Sequence, residues 1–349
     1  MTELSFFDAA GHRVSCTVEV EFDEPGGPAA HLHTRLLRVH AGTDTPILPG
    51  VQYLRQRMVA GKLPLSQSEP YDLLDNEIRI GLHLVRRFQS GPYPAELSQL
   101  VGYDVDVDEP FALFVPYEGE ETVKVAGRLT LDQQREFQIG LARALWLLAE
   151  SGVVHGRLGP DTVRWEDSSG RVQVVDFYRA VLSGEPRSQA GPSSWNPPIE
   201  PGEDQRATPA DDMWSAGALT YYAVTGRQRD ATSHVPGLGL RGPLPGLLEG
   251  VFAASPAARP SATQLLRRLR VPDPWLADHD GSPRFAAGQR EFDQIMAMKR
   301  AAFAPPQAVA GPARPPGKPP RRRRRRWPLL TLLLVLIIFG VTVLAMEVS

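Results

Sequence analysis

Apolar side chains at Val14, Cys16, Val18, Val20 and Phe22 recur every second residue, the period of a strand with one face in a core and the other in water. A Gly26-Gly27-Pro28 turn follows, and a second strand is read through Leu32, Leu36 and Val39. Residues 41–70 are rich in turn formers, with a short helix placed over 51–59. The period then changes. Leu73, Leu74, Ile78, Leu82 and Val85 mark an amphipathic helix over 71–88. Strands are expected at 97–105 and 111–116. Beyond Gly119 the signal is mostly helical: Phe137, Leu141, Leu145 and Leu148 share one face of a helix over 131–151, with Thr130 and Asp132 near its start as capping residues. A loop-and-strand region runs to 181 and a polar segment to 209. Helices are expected over 211–225, 245–253 and 261–269. There is no internal repeat, and the pattern predicts a small sheet-rich part joined to a larger helical one.

The C-terminal end has a different texture. Residues 327–346 read WPLLTLLLVLIIFGVTVLAM, twenty residues without a charge. At about 1.5 Å per residue such a helix spans the hydrocarbon core of a bilayer. A buried helix of a large soluble domain competes with this, but such helices rarely run so long without a polar residue. Arg321, Arg322, Arg323, Arg324, Arg325 and Arg326 abut the segment, a cationic flank that the positive-inside rule places in the cytoplasm and that suits anionic headgroups. The N-terminus has no charged start followed by an apolar run, so no signal peptide is expected. Residues 304–320, dense in proline, read as an extended spacer, with a Pro-rich ligand for a partner domain as the sharper alternative. Single-pass membrane attachment with a cytoplasmic body is the resulting expectation.

Composition narrows the rest. With 42% hydrophobic and 22% charged residues in 349, most of the chain is neither disordered nor fibrous. The lone Cys16 excludes an intrachain disulfide framework and a cysteine-based zinc cluster. Setting aside the six arginines and Glu347 leaves residues 1–320 with 32 of the 38 basic and 39 of the 40 acidic side chains. An acidic body argues against nucleic acid as a partner, and protein partners are expected instead.

The stretch 152–180, GVVHGRLGPDTVRWEDSSGRVQVVDFYRA, resembles the catalytic segment of protein kinases. The family writes His-Arg-Asp-Leu-Lys-Pro-Glu-Asn in its loop and Asp-Phe-Gly after the next strand. Here the loop reads His155-Gly156-Arg157-Leu158-Gly159-Pro160-Asp161-Thr162, and the triplet reads Asp176-Phe177-Tyr178. The run from Ala112 to Gly119 resembles the strand and hinge between kinase lobes, the run from Asp212 to Gly217 a helix start, and Arg259-Pro260-Ser261 a late motif whose arginine pairs with a glutamate, for which Glu200 is the candidate. The resemblance implies an α+β, two-lobed kinase-like fold with one C-terminal transmembrane helix. Its parts would be an N-lobe over 1–112, a C-lobe over 113–275, a helical extension over 276–303, a linker over 304–326 and the span at 327–346.

Its departures carry the functional expectation. The aspartate that handles the substrate hydroxyl proton is replaced by Arg157, which cannot act as a base. The loop lysine is Gly159, and the asparagine that holds a second magnesium is Thr162. The N-lobe shows no Gly-x-Gly-x-x-Gly run. Arg35 is the candidate for the nucleotide-site lysine, with Glu77 as its partner, and Asp176 remains for one magnesium; together they are the candidate ATP and magnesium cleft. The resemblance thus implies a pseudokinase acting as scaffold or regulator, with an active, divergent serine/threonine kinase as the alternative. Structural roles compete at each position: His155 as a core histidine, Arg157 as a partner of backbone carbonyls rather than of an anion, Asp176 as a brace, Asp161 as a solvated turn residue. Trp195 and Trp214 read as packing residues.

Overall fold

A computed structural model of the chain describes residues 1–24, 32–40, 52–59, 69–187, 195–198, 206–228 and 243–271. Its N-terminal part is built from strands β1 (Thr2–Asp8), β2 (Arg13–Glu24), β3 (Leu32–Val39) and β4 (Tyr53–Val59), helix α1 (Glu69–Arg87), and strands β5 (Leu100–Asp104) and β6 (Phe111–Phe114). The six strands close into an antiparallel barrel in the order β1-β2-β3-β4-β6-β5. Of the alternating positions read in the sequence, Val14, Cys16 and Val18 enter its interior beside Phe6, Leu37, Leu54, Met58, Phe111 and Leu113, whereas Val20 and Phe22 are exposed where the β2–β3 register shifts.

Closure is the work of β1. Its residues lie opposite β2, with Leu4 across from Cys16, and its end lies opposite β5, with Phe7 across from Tyr103. Both edges of the sheet are thereby tied by one strand. Gly102 permits this approach, since a Cβ there would meet the Phe6 ring at 2.4 Å and the Phe7 carbonyl oxygen at 2.6 Å. The expected α+β two-lobed kinase-like fold is corrected accordingly: the N-terminal region is a closed six-stranded barrel, because β1 removes the free edge that an open sheet would keep.

A second correction concerns 51–59, expected to be helical. Residues 53–59 form β4, paired with β3 and β6. Alternation of Leu54, Gln56 and Met58 with Arg55, Arg57 and Val59 puts one set inside the barrel and the other on its outer face. The outer face receives α1, whose Leu73, Leu74 and Ile78 pack with Val59, Leu100, Ala112 and Phe114. Gly81 sets how near the helix lies: a Cβ there would come within 2.9 Å of Leu100.

The remainder comprises β7 (Glu120–Glu121), α2 (Thr122–Val125), α3 (Leu131–Glu150), β8 (Val153–Val154), β9 (Val163–Glu166), β10 (Arg171–Val174), β11 (Val181–Leu182), α4 (Pro209–Thr225), α5 (Leu244–Leu247) and α6 (Ala262–Arg268). Helix α3 begins with a full capping box, Thr130 accepting from the Gln133 backbone N–H while the Gln133 side chain accepts from that of Thr130. A large apolar core joins α3, β9, β10, α4 and α6 through residues such as Phe137, Leu141, Trp165, Trp214 and Leu266. Residues 1–280 form one compact unit.

The membrane expectation is corrected as well. Among the described residues no helix is long and apolar enough to cross a membrane. The segments 276–303, 304–326 and 327–346, with Arg321 to Arg326, lie outside the described residues, so single-pass membrane localisation has no structural footing.

Candidate functional site

Of the residues singled out in the sequence, Glu77 and Asp176 meet where α1, β4 and the 153–180 segment come together, and the centre of that convergence is Arg57. Strand parity turns Arg57 outward from the barrel, opposite Ala112 of β6. Its Nη1 donates to both oxygens of Glu77 on α1, at 2.8 and 3.0 Å, and its Nη2 donates to Asp176 Oδ1 at 2.5 Å. All three side chains are buried. One guanidinium therefore ties the barrel, the helix and the loop after β10. Glu77 is thus the partner of Arg57 and not of Arg35, which lies on β3 with its Nε 3.6 Å from Asp23.

Burial and pairing set opposing demands on these groups. Desolvation pushes the Glu77 carboxyl up to about 7, with the Arg57 charge pulling the other way. Burial also opposes ionisation of Asp176, yet the Arg57 guanidinium holds it below the usual carboxylate range. Burial works against the Arg57 charge too, and the two carboxylates together lift its pKa well above the ordinary value. Asp176 adopts a left-handed backbone (φ 66°, ψ 61°) at the start of the 3-10 turn Phe177–Arg179. That conformation costs a non-glycine residue about 1–3 kcal/mol, which the carboxylate contacts offset.

Tyr117 closes the other side. Its hydroxyl donates to Asp176 Oδ1 at 3.2 Å. Its ring has the Arg55 guanidinium 4.4 Å and the Arg164 guanidinium 5.9 Å from its centroid. Burial raises the Tyr117 phenol above its ordinary value, so it remains a neutral donor. Tyr178 has a similar pair of neighbours, Arg57 at 5.8 Å and Arg157 at 5.5 Å. Asn76 on α1 donates to the backbone carbonyls of Tyr178 and Ala180 at 3.0 and 2.8 Å.

The loop ahead of β9 is held from beneath. Asp212 on α4 accepts the His155 and Gly156 backbone N–H groups at 2.7 and 2.9 Å, and burial pushes its carboxyl up to about 7 despite them. His155 Nε2 donates to the Val175 carbonyl at 2.9 Å, and its Nδ1 accepts the Arg157 backbone N–H at 3.3 Å. Buried, with its ring 5.0 Å from that of Phe177, it is pushed down to about 4 and stays neutral. Arg157 Nη2 donates to Asp161 Oδ2 at 2.8 Å, both partly exposed. The Thr162 hydroxyl donates to loop carbonyls at Arg157 and Gly159 and accepts the Gly159 N–H, so it is spent on loop backbone. Gly159 sits beside Asp161 and Trp195.

Arg259 makes hydrogen bonds to the carbonyls of Ala253, Ala210 and Ala254 and lies 3.8 Å from Asp211. Its expected partner Glu200 falls outside the described residues.

A nucleotide–magnesium pair does not fit this arrangement. The Asp176 carboxylate is already matched by Arg57, and two guanidiniums, of Arg55 and Arg164, lie within 6 Å of the Tyr117 ring centroid. No cluster of three or more His, Cys, Asp or Glu suited to a metal is present among the described residues. Arg55, Arg57, Tyr117 and Asn76 are not apparent as site residues from the sequence. For Arg57 a signal exists, in the two-residue alternation over 53–59 that a helical reading conceals. Compared with known proteins, the chain matches no protein-family model and no curated protein.

Proposed function

We propose that this chain works as a non-catalytic regulator or scaffold, a protein whose kinase-resembling segment performs no phosphoryl transfer and which acts by binding other proteins. The observation that carries it is the single guanidinium of Arg57 bridging Glu77 and Asp176. Phosphoryl transfer needs carboxylates free to hold magnesium and a proton acceptor beside the hydroxyl nucleophile. Here the carboxylate of the Asp176-Phe177-Tyr178 triplet is neutralised from within, and Arg157, paired with Asp161, stands at the acceptor's place in the motif. A permanent cation cannot take a proton. What remains is a rigid cluster that fixes α1 against the 176–180 turn, which suits a surface that must keep one shape.

The test is direct. Full-length chain with radiolabelled ATP and magnesium should transfer no phosphate to itself or to generic protein substrates, and a fluorescent nucleotide should show no saturable binding. Transfer that disappears in Asp176→Ala would overturn the proposal.

A further inference from the structure

We draw no further inference here: the strongest candidate, the cavity of about 610 Å³ between α3, α4 and α6 with Leu145, Leu148, Met213 and Ala262 in its wall, has its buried Asp212 and Arg259 already spent on backbone groups, and nothing in the structure shows what covers it.

Discussion

Arg57 holds the interior charge balance through three elements, and the consequence of removing it is asymmetric. A buried ion pair adds little net stability over a well-packed apolar replacement, but breaking one strands its partners. Arg57→Met leaves Glu77, with no exposure, and the nearly buried Asp176 without the guanidinium that bridges them, Arg55 being the remaining cation that acts on both. The expected loss is about 3–5 kcal/mol, read from the shift in a chemical denaturation midpoint. Adding Glu77→Gln should return a good part of it, since one of the two stranded charges disappears. If the double variant is no more stable than Arg57→Met alone, the carboxylates are not what Arg57 serves. Arg57→Lys should fall between, because an ammonium keeps the charge but cannot fork across Glu77 while reaching Asp176. His155 is decided by the same kind of pairing. Its two ring nitrogens are both committed to backbone, so it is a brace for the loop and carries no chemistry of its own.

Elements differ in how plainly the chain announces them. Helices α1 and α3 are legible because their apolar positions repeat at helical spacing and because Thr130 does cap α3, although its partner in the capping box is Gln133 and not the Asp132 read beside it. Barrel closure is not legible. It depends on β1 pairing with β5, and nothing in the local pattern around Phe7 names Tyr103 as its neighbour. Strand β4 is hidden because its alternation sits in a turn-rich context and carries arginines on the outer face. With β4 hidden the centre of the site is displaced, so Glu77 and Asp176 can be picked out without the residue that joins them. Closure also makes a measurable claim about Cys16, which is 1% exposed inside the barrel and whose thiol burial pushes up to about 11. The native thiol should react with an aromatic disulfide reagent far more slowly than a free cysteine, by about a hundredfold or more given so little thiolate at neutral pH. Substituting Phe6 by Ala removes a buried aromatic from the same interior, costs about 3–5 kcal/mol and should speed the reaction sharply. A native Cys16 that reacts at the rate of the unfolded chain would mean the barrel is open.

At the level of the whole molecule the buried titratable groups predict an unusual dependence on pH. Glu77 and Asp212 are both raised to about 7 from ordinary values of 4.5 and 3.8, and His155 is lowered to about 4 from 6.5. Between the ordinary carboxylate values and about pH 6.5 the folded chain keeps protons on Glu77 and Asp212 that the unfolded chain has released. The unfolded chain keeps one on His155 that the folded chain refuses. The folded state therefore binds about one proton more across this window, and about two more between 6.5 and 7. Stability should fall as pH rises through the window and level off above 7. Below it the sign reverses, because the depressed Asp176 contributes stability that is lost as pH falls through its folded value. The optimum is mildly acidic, with denaturation midpoints higher at about pH 5.5 than at about pH 8. Glu77→Gln should remove about one proton from that slope, while His155→Gln should steepen it, since the opposing proton is gone. Midpoints that rise steadily from about pH 5.5 to about 8 would show that Glu77 and Asp212 are ionised throughout and that burial does not hold their protons in the folded chain.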